Sequence, residues 1–276
     1  MEDTGERHIL KTEFIDSADY YGHLLHIASY EFVLKYANGK KVLDYGCGSG
    51  YGTSILSSVA QQVTGVDVSK ETILYAKQHF LSENAAFKTI DELNDEKFDI
   101  IVSFQVIEHV KNDKLYLKQL KNRLNQDGIL FLTTPDKKDR LFNYIQKPWN
   151  KYHLKEYSAK SMEKLIKRFF NDFEVLSISS VSELALSEIK RRKTQRLISI
   201  PCTLFFYPHF LRVFLLDFQA WLYKKIAPIL KKNKQTTKTE TKEASFLKYT
   251  SKDIVISKNA DYSTDLFVVC KNQYCQ

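Results

Sequence analysis

The segment Val42-Leu-Asp-Tyr-Gly-Cys-Gly-Ser-Gly-Tyr-Gly52 constrains the fold of this chain more than any other. A short apolar run enters a cluster of glycines, and helix-forming residues follow it. Such a strand–turn–helix needs glycine where the backbone turns sharply or approaches a ligand, because a Cβ would collide there. A dinucleotide-type GxGxxG starting at Gly46 requires glycine at position 51, which is Tyr51. The pattern is instead Asp-x-Gly-x-Gly-x-Gly, with Asp44 two residues before the first glycine. A loop of this kind does not spell a pyrophosphate cradle; an acid beside it suits a ligand that carries an ammonium. Asp44 either holds such a group, directly or through water, or caps the loop as a strand-end carboxylate.

Apolar strands alternate with helical periodicity around this loop. Strands are expected at 41–45, 62–67, 86–90, 98–104, 129–133, 173–180 and 266–270. Helices are expected at 23–38, 53–60, 70–81, 112–124 and 158–169. Alternation of this kind gives an α/β fold, a doubly wound and mostly parallel sheet with helices on both faces. The second strand, Val63-Thr-Gly-Val-Asp67, ends in an acid 21 positions after Gly46. In doubly wound folds an acid there accepts the ribose hydroxyls of a nucleoside; otherwise it faces solvent. Residues 1–39 form a segment and helix over the loop. Residues 40–181 with 251–276 form the core, and 182–250 are inserted before the last strand.

The insert is unusual. A charged helix opens it, an uncharged run follows over 197–211, and Phe, Leu, Trp and Tyr stay dense as far as Leu230. A polar Thr/Lys/Glu-rich stretch, Lys234–Ala244, follows and is expected to be mobile. Fifteen uncharged residues are too few to span a bilayer, and Pro201, Pro208, Arg212 and Asp217 interrupt the region. The insert is a lid, a homodimer surface or a peripheral membrane anchor over 197–232.

A net charge of +8 raises the question of nucleic acid. The cations are spread over helical faces and one polar tail, and no nucleic-acid-binding signature accompanies them, so no nucleic-acid partner is expected. An anionic sugar nucleotide or an anionic membrane surface would be attracted equally well. The cysteines Cys47, Cys202, Cys270 and Cys275 form no CxxC pair and no metal-ligand spacing. No bound metal is expected, and a reduced, cytoplasmic setting is. The stretch MEDTGERHIL lacks the apolar core of a signal peptide.

Four segments in register, VLDYGCGSGYGT, VTGVDVSKETILYAK, FDIIVSFQVIEHV and DGILFLTTP, carry a resemblance over about residues 40–135. They resemble the successive motifs of the class I S-adenosylmethionine-dependent methyltransferases, which have a Rossmann-like fold. The resemblance implies S-adenosylmethionine as cofactor and S-adenosylhomocysteine as product. It implies that Asp44, Gly46, Cys47, Gly48 and Gly50 hold the methionine part. Asp67 would take the ribose, with Val68 against the adenine and Ile90 and Asp91 at the adenine edge, although the Gly-Asp pair usual there is missing. Phe104, Gln105 and Val106 would flank the sulfur.

Methyl transfer to oxygen needs alignment and, for a hydroxyl of high pKa, a base. Glu108-His109 follows the fourth strand; it is either catalytic or a local structural pair. Asn150-Lys-Tyr-His153-Leu-Lys-Glu156-Tyr-Ser resembles an acceptor-lining element of methyltransferases found with glycosyltransferases. Gly5-Glu-Arg7 and Tyr20-Tyr-Gly-His23-Leu-Leu-His26 resemble the same sub-group, with Tyr21 and His26 able to face the pocket. This points to O-methylation of a sugar or glycan intermediate in polysaccharide biosynthesis, with His153 or His109 as base. The other readings are methylation of a small aromatic or quinone-like acceptor, and a non-catalytic protein that only binds the cofactor.

Overall fold

The computed structural model describes Phe14 and residues 16–180, 182–232, 244–258 and 262–273, with side chains omitted at 227–232, 244 and 245. The expected N-terminal element at Gly5–Arg7, the polar stretch Lys234–Ala244 apart from its last residue, and Cys275 lie outside the described residues.

Eight strands form one sheet in the order β3-β2-β1-β4-β5-β8-β6-β7. Five of them, β1 (Lys41–Tyr45), β2 (Gln62–Asp67), β3 (Ala85–Thr89), β4 (Phe98–Phe104) and β5 (Leu124–Pro135), run parallel. β8 (Ser263–Lys271) runs antiparallel between β5 and β6 (Asp172–Ser179), and β7 (Val255–Ser257) closes the edge. The chain leaves β3 at one edge and re-enters as β4 on the other side of β1. The strand order therefore reverses between β1 and β4, and a crevice opens at their carboxyl ends. The mostly parallel α/β architecture expected from the sequence is the one observed.

Strand alternation divides the core. Val42, Ile100, Val102, Phe131 and Phe267 face α1 (Ser17–Ala37) and α2 (Tyr51–Ser57). Leu43, Ile101, Leu130, Leu132 and Val268 face the opposite way. There they meet α4 (Asp113–Asn122) and α5 (Ala159–Ile166) through Leu117, Leu120, Met162 and Ile166. Period-2 geometry thus sends Asp44 to the α1/α2 side, where its polar partners stand. Side-chain caps start the helices: Ser69 for α3 (Lys70–Phe80), Asn112 for α4 and Ser158 for α5.

α1 begins six residues earlier than its apolar spacing indicates. Asp16 accepts from the amides of Ala18 and Asp19 and so caps a polar first turn. In the insert, α6 (Glu183–Ile198) is followed by α7 (His209–Lys232). Among the described residues no helix is long and apolar enough to cross a membrane.

Candidate active site

The glycine turn is bound to its neighbours before any ligand is considered. Gly46 and Cys47 both donate to the carbonyl of Val66, at 2.7 and 2.9 Å, which locks the turn to the end of β2. Gly46 has φ +88°, and a Cβ there would lie 2.5 Å from Cγ2 of Val106. Gly48, at φ +51°, differs: a Cβ would meet nothing within 4 Å, since this residue lines a cavity. Its amide donates to Oδ2 of Asp67 at 3.2 Å, while Oδ1 accepts from Ser69. Asp67 is thereby held at the rim of the turn.

The cavity above this turn measures about 350 Å³, a size suited to a nucleoside-bearing small molecule. Gly46, Cys47, Gly48, Asp67, Val68, Ile90, Phe104, Gln105 and Val106 line it, as the sequence leads one to expect. Val68, 79 % exposed, offers an apolar surface for a flat ring.

Three expected cofactor residues are placed elsewhere. Asp44 is fully buried beneath the turn and outside the lining. Its carboxyl accepts from Thr53 at 2.7 Å and from Tyr30 at 3.3 Å. Burial pushes it up to about 7 against these hydrogen bonds. It fixes the loop from below, which is the loop-capping alternative open to it from the sequence rather than a place in the cavity lining. Gly50 packs on Ala76 and Phe87 and belongs to the core. Asp91 is exposed on a turn and does not reach the cavity, because the neighbouring capping box of Thr89 and Glu92 turns the chain away.

A second cavity of about 300 Å³ adjoins the first, and both are lined by His26, Gln105 and His109. The candidate bases Glu108, His109 and His153 all line it. His153 is buried, and its Nδ1 lies 2.8 Å from Glu156. Glu156 also accepts two hydrogen bonds from Arg140, at 3.0 and 3.1 Å. Burial alone would raise this carboxyl, yet Arg140 and His153 hold it down to about 2. An ionised Glu156 keeps the proton on Nδ1 of His153 and the lone pair on Nε2, which lies 3.0 Å from the Asn150 side-chain amide. Glu108 is fully buried; Thr134 donates to its Oε2 at 3.0 Å, and desolvation raises it to about 7. His26, expected as a pocket residue, lines both cavities and is pushed down to about 4 by burial, so it is neutral near pH 7. Tyr21 does not line them; it is buried against Thr264.

The contacts that support Gln105, and the arginines of the insert, carry no sequence signal. Gln105 sits at φ +57°, unusual for a side-chain-bearing residue, and hydrogen-bonds Thr133 and Asp265. Arg192 of α6 ties Glu188 to Asp265. Arg212 of α7, only 1 % exposed, forms no ion pair with a carboxylate among the described residues. It donates instead to the carbonyls of Pro148, Asn150, Lys151 and His153, with the His153 contact at 2.9 Å. The sequence shows Arg212 only as a break in an apolar run. Here it clamps the loop that carries His153. An Arg212→Met variant should keep its affinity for S-adenosylhomocysteine, because Arg212 does not line the glycine-turn cavity. The same variant should lose acceptor turnover about 10-fold or more through the loosened loop; unchanged turnover would show that the clamp is dispensable.

Comparison with known proteins adds three findings. A family model described as "Methyltransferase domain" matches residues 18–178. Ubiquinone biosynthesis O-methyltransferase of Glaesserella parasuis is 35 % identical over 118 residues, covering 39 % of this chain and 50 % of that protein. The protein of the same name from Haemophilus ducreyi is 30 % identical over 166 residues, covering 55 % and 66 %. The chain therefore spans about half to two thirds of the length of these curated relatives. Among solved structures, the [4+2]-cyclase SpnF has a TM-score of 0.54 at 16 % identity, covering 98 % of this chain and 90 % of that one. That likeness concerns the fold alone; a fold does not choose a reaction.

Proposed function

This chain belongs to the class I S-adenosylmethionine-dependent methyltransferases, and on that premise we propose that it methylates a hydroxyl oxygen of an aromatic, quinone-like acceptor. When bound, S-adenosylmethionine supplies an electrophilic methyl group on a sulfonium. Asp67 would hold the ribose hydroxyls, Val68 and Ile90 would bracket the base, and Gly46 to Gly48 would lie along the amino-acid part. Asp44 holds the turn in shape from beneath. The acceptor enters the adjoining cavity, where His153, oriented by Glu156, removes the hydroxyl proton at Nε2.

One observation carries this reading. The buried His153–Glu156–Arg140 chain lines the second cavity, and that cavity shares Gln105 and His109 with the cavity above the glycine turn. A reactive oxygen and a methyl donor can meet at that junction. The names of the two relatives support the quinone-like acceptor over a sugar. The Asn150, His153 and Glu156 element supports the sugar reading, which stands second. Labelled S-adenosylmethionine offered with catechols and with sugar nucleotides separates them. Label in the catechol ether is expected; label in the sugar alone would establish the second reading. Label in neither, from protein that still binds S-adenosylhomocysteine, contradicts both.

The insert extends the proposal to a membrane surface. α7 exposes Phe210 (74 %), Phe214, Phe218, Trp221 and Tyr223, and Phe206 precedes it. Lys224 and Lys225 follow on the same helix, and the whole chain carries +8. Aromatics with adjacent lysines suit the interface of an anionic bilayer, which would also present a lipophilic acceptor. The protein should float with phosphatidylglycerol vesicles and not with phosphatidylcholine ones. A Phe210→Glu, Phe214→Glu double variant should lose flotation and keep its cofactor affinity. A stable dimer without vesicle binding would assign the face to a second copy of the chain instead.

A further inference from the structure

We propose that Glu108, His109 and His153 form a binding site for a divalent transition-metal cation on the acceptor side of the active site. The three residues each offer a ligand atom, all within 4.8 Å of one another. Sequence spacing hides the set, since Glu108 and His109 lie on the short turn Ile107–His109 after β4 while His153 lies more than forty residues later. The backbone brings them together: the carbonyl of Glu108 accepts from the amides of Leu154 and Lys155 at 2.8 and 3.2 Å. The rings of His109 and His153 stand 4.9 Å apart, edge to face.

A second and independent observation comes from Glu108 itself. Its side chain is fully buried, Oε2 is engaged by Thr134, and Oε1 has no hydrogen-bond partner among the described residues. A buried carboxylate oxygen left so is costly unless something cationic meets it.

The surrounding shell is that of a metal site. His153 Nδ1 lies 2.8 Å from the carboxylate of Glu156, and His109 Nδ1 lies 3.2 Å from the carbonyl of Tyr152. Each partner is an acceptor, so each ring keeps its proton on Nδ1 and its lone pair on Nε2; at His153 the cation would take the place of the Asn150 side-chain amide, which lies 3.0 Å from Nε2. This carboxylate or carbonyl support behind a ligating histidine orients the ring and strengthens it as a donor. Two imidazoles and one carboxylate suit zinc, iron(II), cobalt(II) or manganese(II) better than magnesium, and leave coordination positions open. Those positions face the acceptor cavity, which all three residues line.

The inference rests on the methyl-transfer reading and deepens it at the same site. With the cation bound, an acceptor hydroxyl coordinated to it gives its proton to water, and the oxygen keeps the electron pair. In the metal-free protein the proton goes to His153. An acceptor with two neighbouring hydroxyls would hold the cation most firmly, which favours catechol-like molecules among aromatic acceptors.

Full-length protein stripped with a chelator should bind one equivalent of cobalt(II), with visible d–d bands that zinc displaces. Glu108→Gln, His109→Asn and His153→Asn should each weaken cobalt binding about 100-fold, while calorimetry still registers S-adenosylhomocysteine. Should a variant not fold, the wild type decides: one equivalent of zinc should raise its melting temperature. Absent d–d bands, an unmoved melting temperature, or folded variants that bind cobalt as the parent does would overturn the site. A wild type that binds S-adenosylhomocysteine but no cobalt removes the metal inference alone. Failure of the wild type to bind S-adenosylhomocysteine removes the reading beneath it.

Discussion

A Gly48→Ala variant folds, melts within a few degrees of the parent and binds S-adenosylhomocysteine on the order of 100-fold more weakly. The added Cβ meets no protein atom within 4 Å, so the core does not resist it. The left-handed backbone at φ +51° costs about 1–2 kcal/mol for alanine, which for a chain of this size moves the melting point only a few degrees. What the methyl group takes is space in the cavity that Gly48 lines, where the methionine part of the cofactor would lie under the proposed reading. Gly52→Ala gives the opposite result. Its Cβ would sit 1.9 Å from Cζ of Tyr30, a buried ring whose hydroxyl is engaged by Asp44. That variant should melt on the order of 10 °C lower or fail to fold. Normal cofactor affinity in Gly48→Ala, measured by calorimetry, would contradict the assignment of the cavity.

Glu156→Ala has the largest effect expected on the acceptor side. Removing this carboxylate strands the Arg140 guanidinium, whose side chain is 6 % exposed, and releases His153. Breaking a buried pair in this way costs roughly 3–5 kcal/mol, or on the order of 10 °C in melting temperature. The pH dependence follows from the depressed carboxyl. Its folded value is about 2 against 4.5 ordinarily, so its stabilisation is complete above about pH 4.5. It is lost as pH falls from there towards 2. The variant should therefore show a flatter loss of stability below pH 4.5 than the parent. His153→Asn leaves Glu156 paired with Arg140, so it should fold and bind cofactor yet turn over acceptor 10²–10⁴-fold more slowly, a range typical of a lost base. Equal acid sensitivity in Glu156→Ala and the parent would remove Glu156 from this role.

The glycine turn was legible because its chemistry is local. Strand, turn glycines and the acid at Asp67 lie within 26 residues, and their spacing alone separates this loop from a dinucleotide cradle. Asp44 shows where such reading stops. The residue type was recognised, but strand alternation and the positions of Tyr30 and Thr53 decide that its carboxyl points beneath the turn rather than into the cavity. Gly50 and Asp91 were misplaced for the same reason, since a motif names positions and not directions. The acceptor side was legible only in pieces. His153 and Glu156 are three residues apart and visible as a pair. Arg140, Arg212 and the support of Gln105 by Asp265 come from distant segments with no periodicity to mark them. The short β7 at the sheet edge was missed because three residues carry too little pattern.

The account stands on the cavity above the glycine turn being the cofactor site, with Asp67 as its ribose anchor. Calorimetry of S-adenosylhomocysteine binding to the ligand-free protein and to an Asp67→Ala variant tests this most directly. One equivalent bound by the parent, with affinity reduced on the order of 100-fold in Asp67→Ala and unchanged in Asp91→Ala, is the predicted result. Equal affinity in the parent and Asp67→Ala would place the cofactor elsewhere and contradict the account.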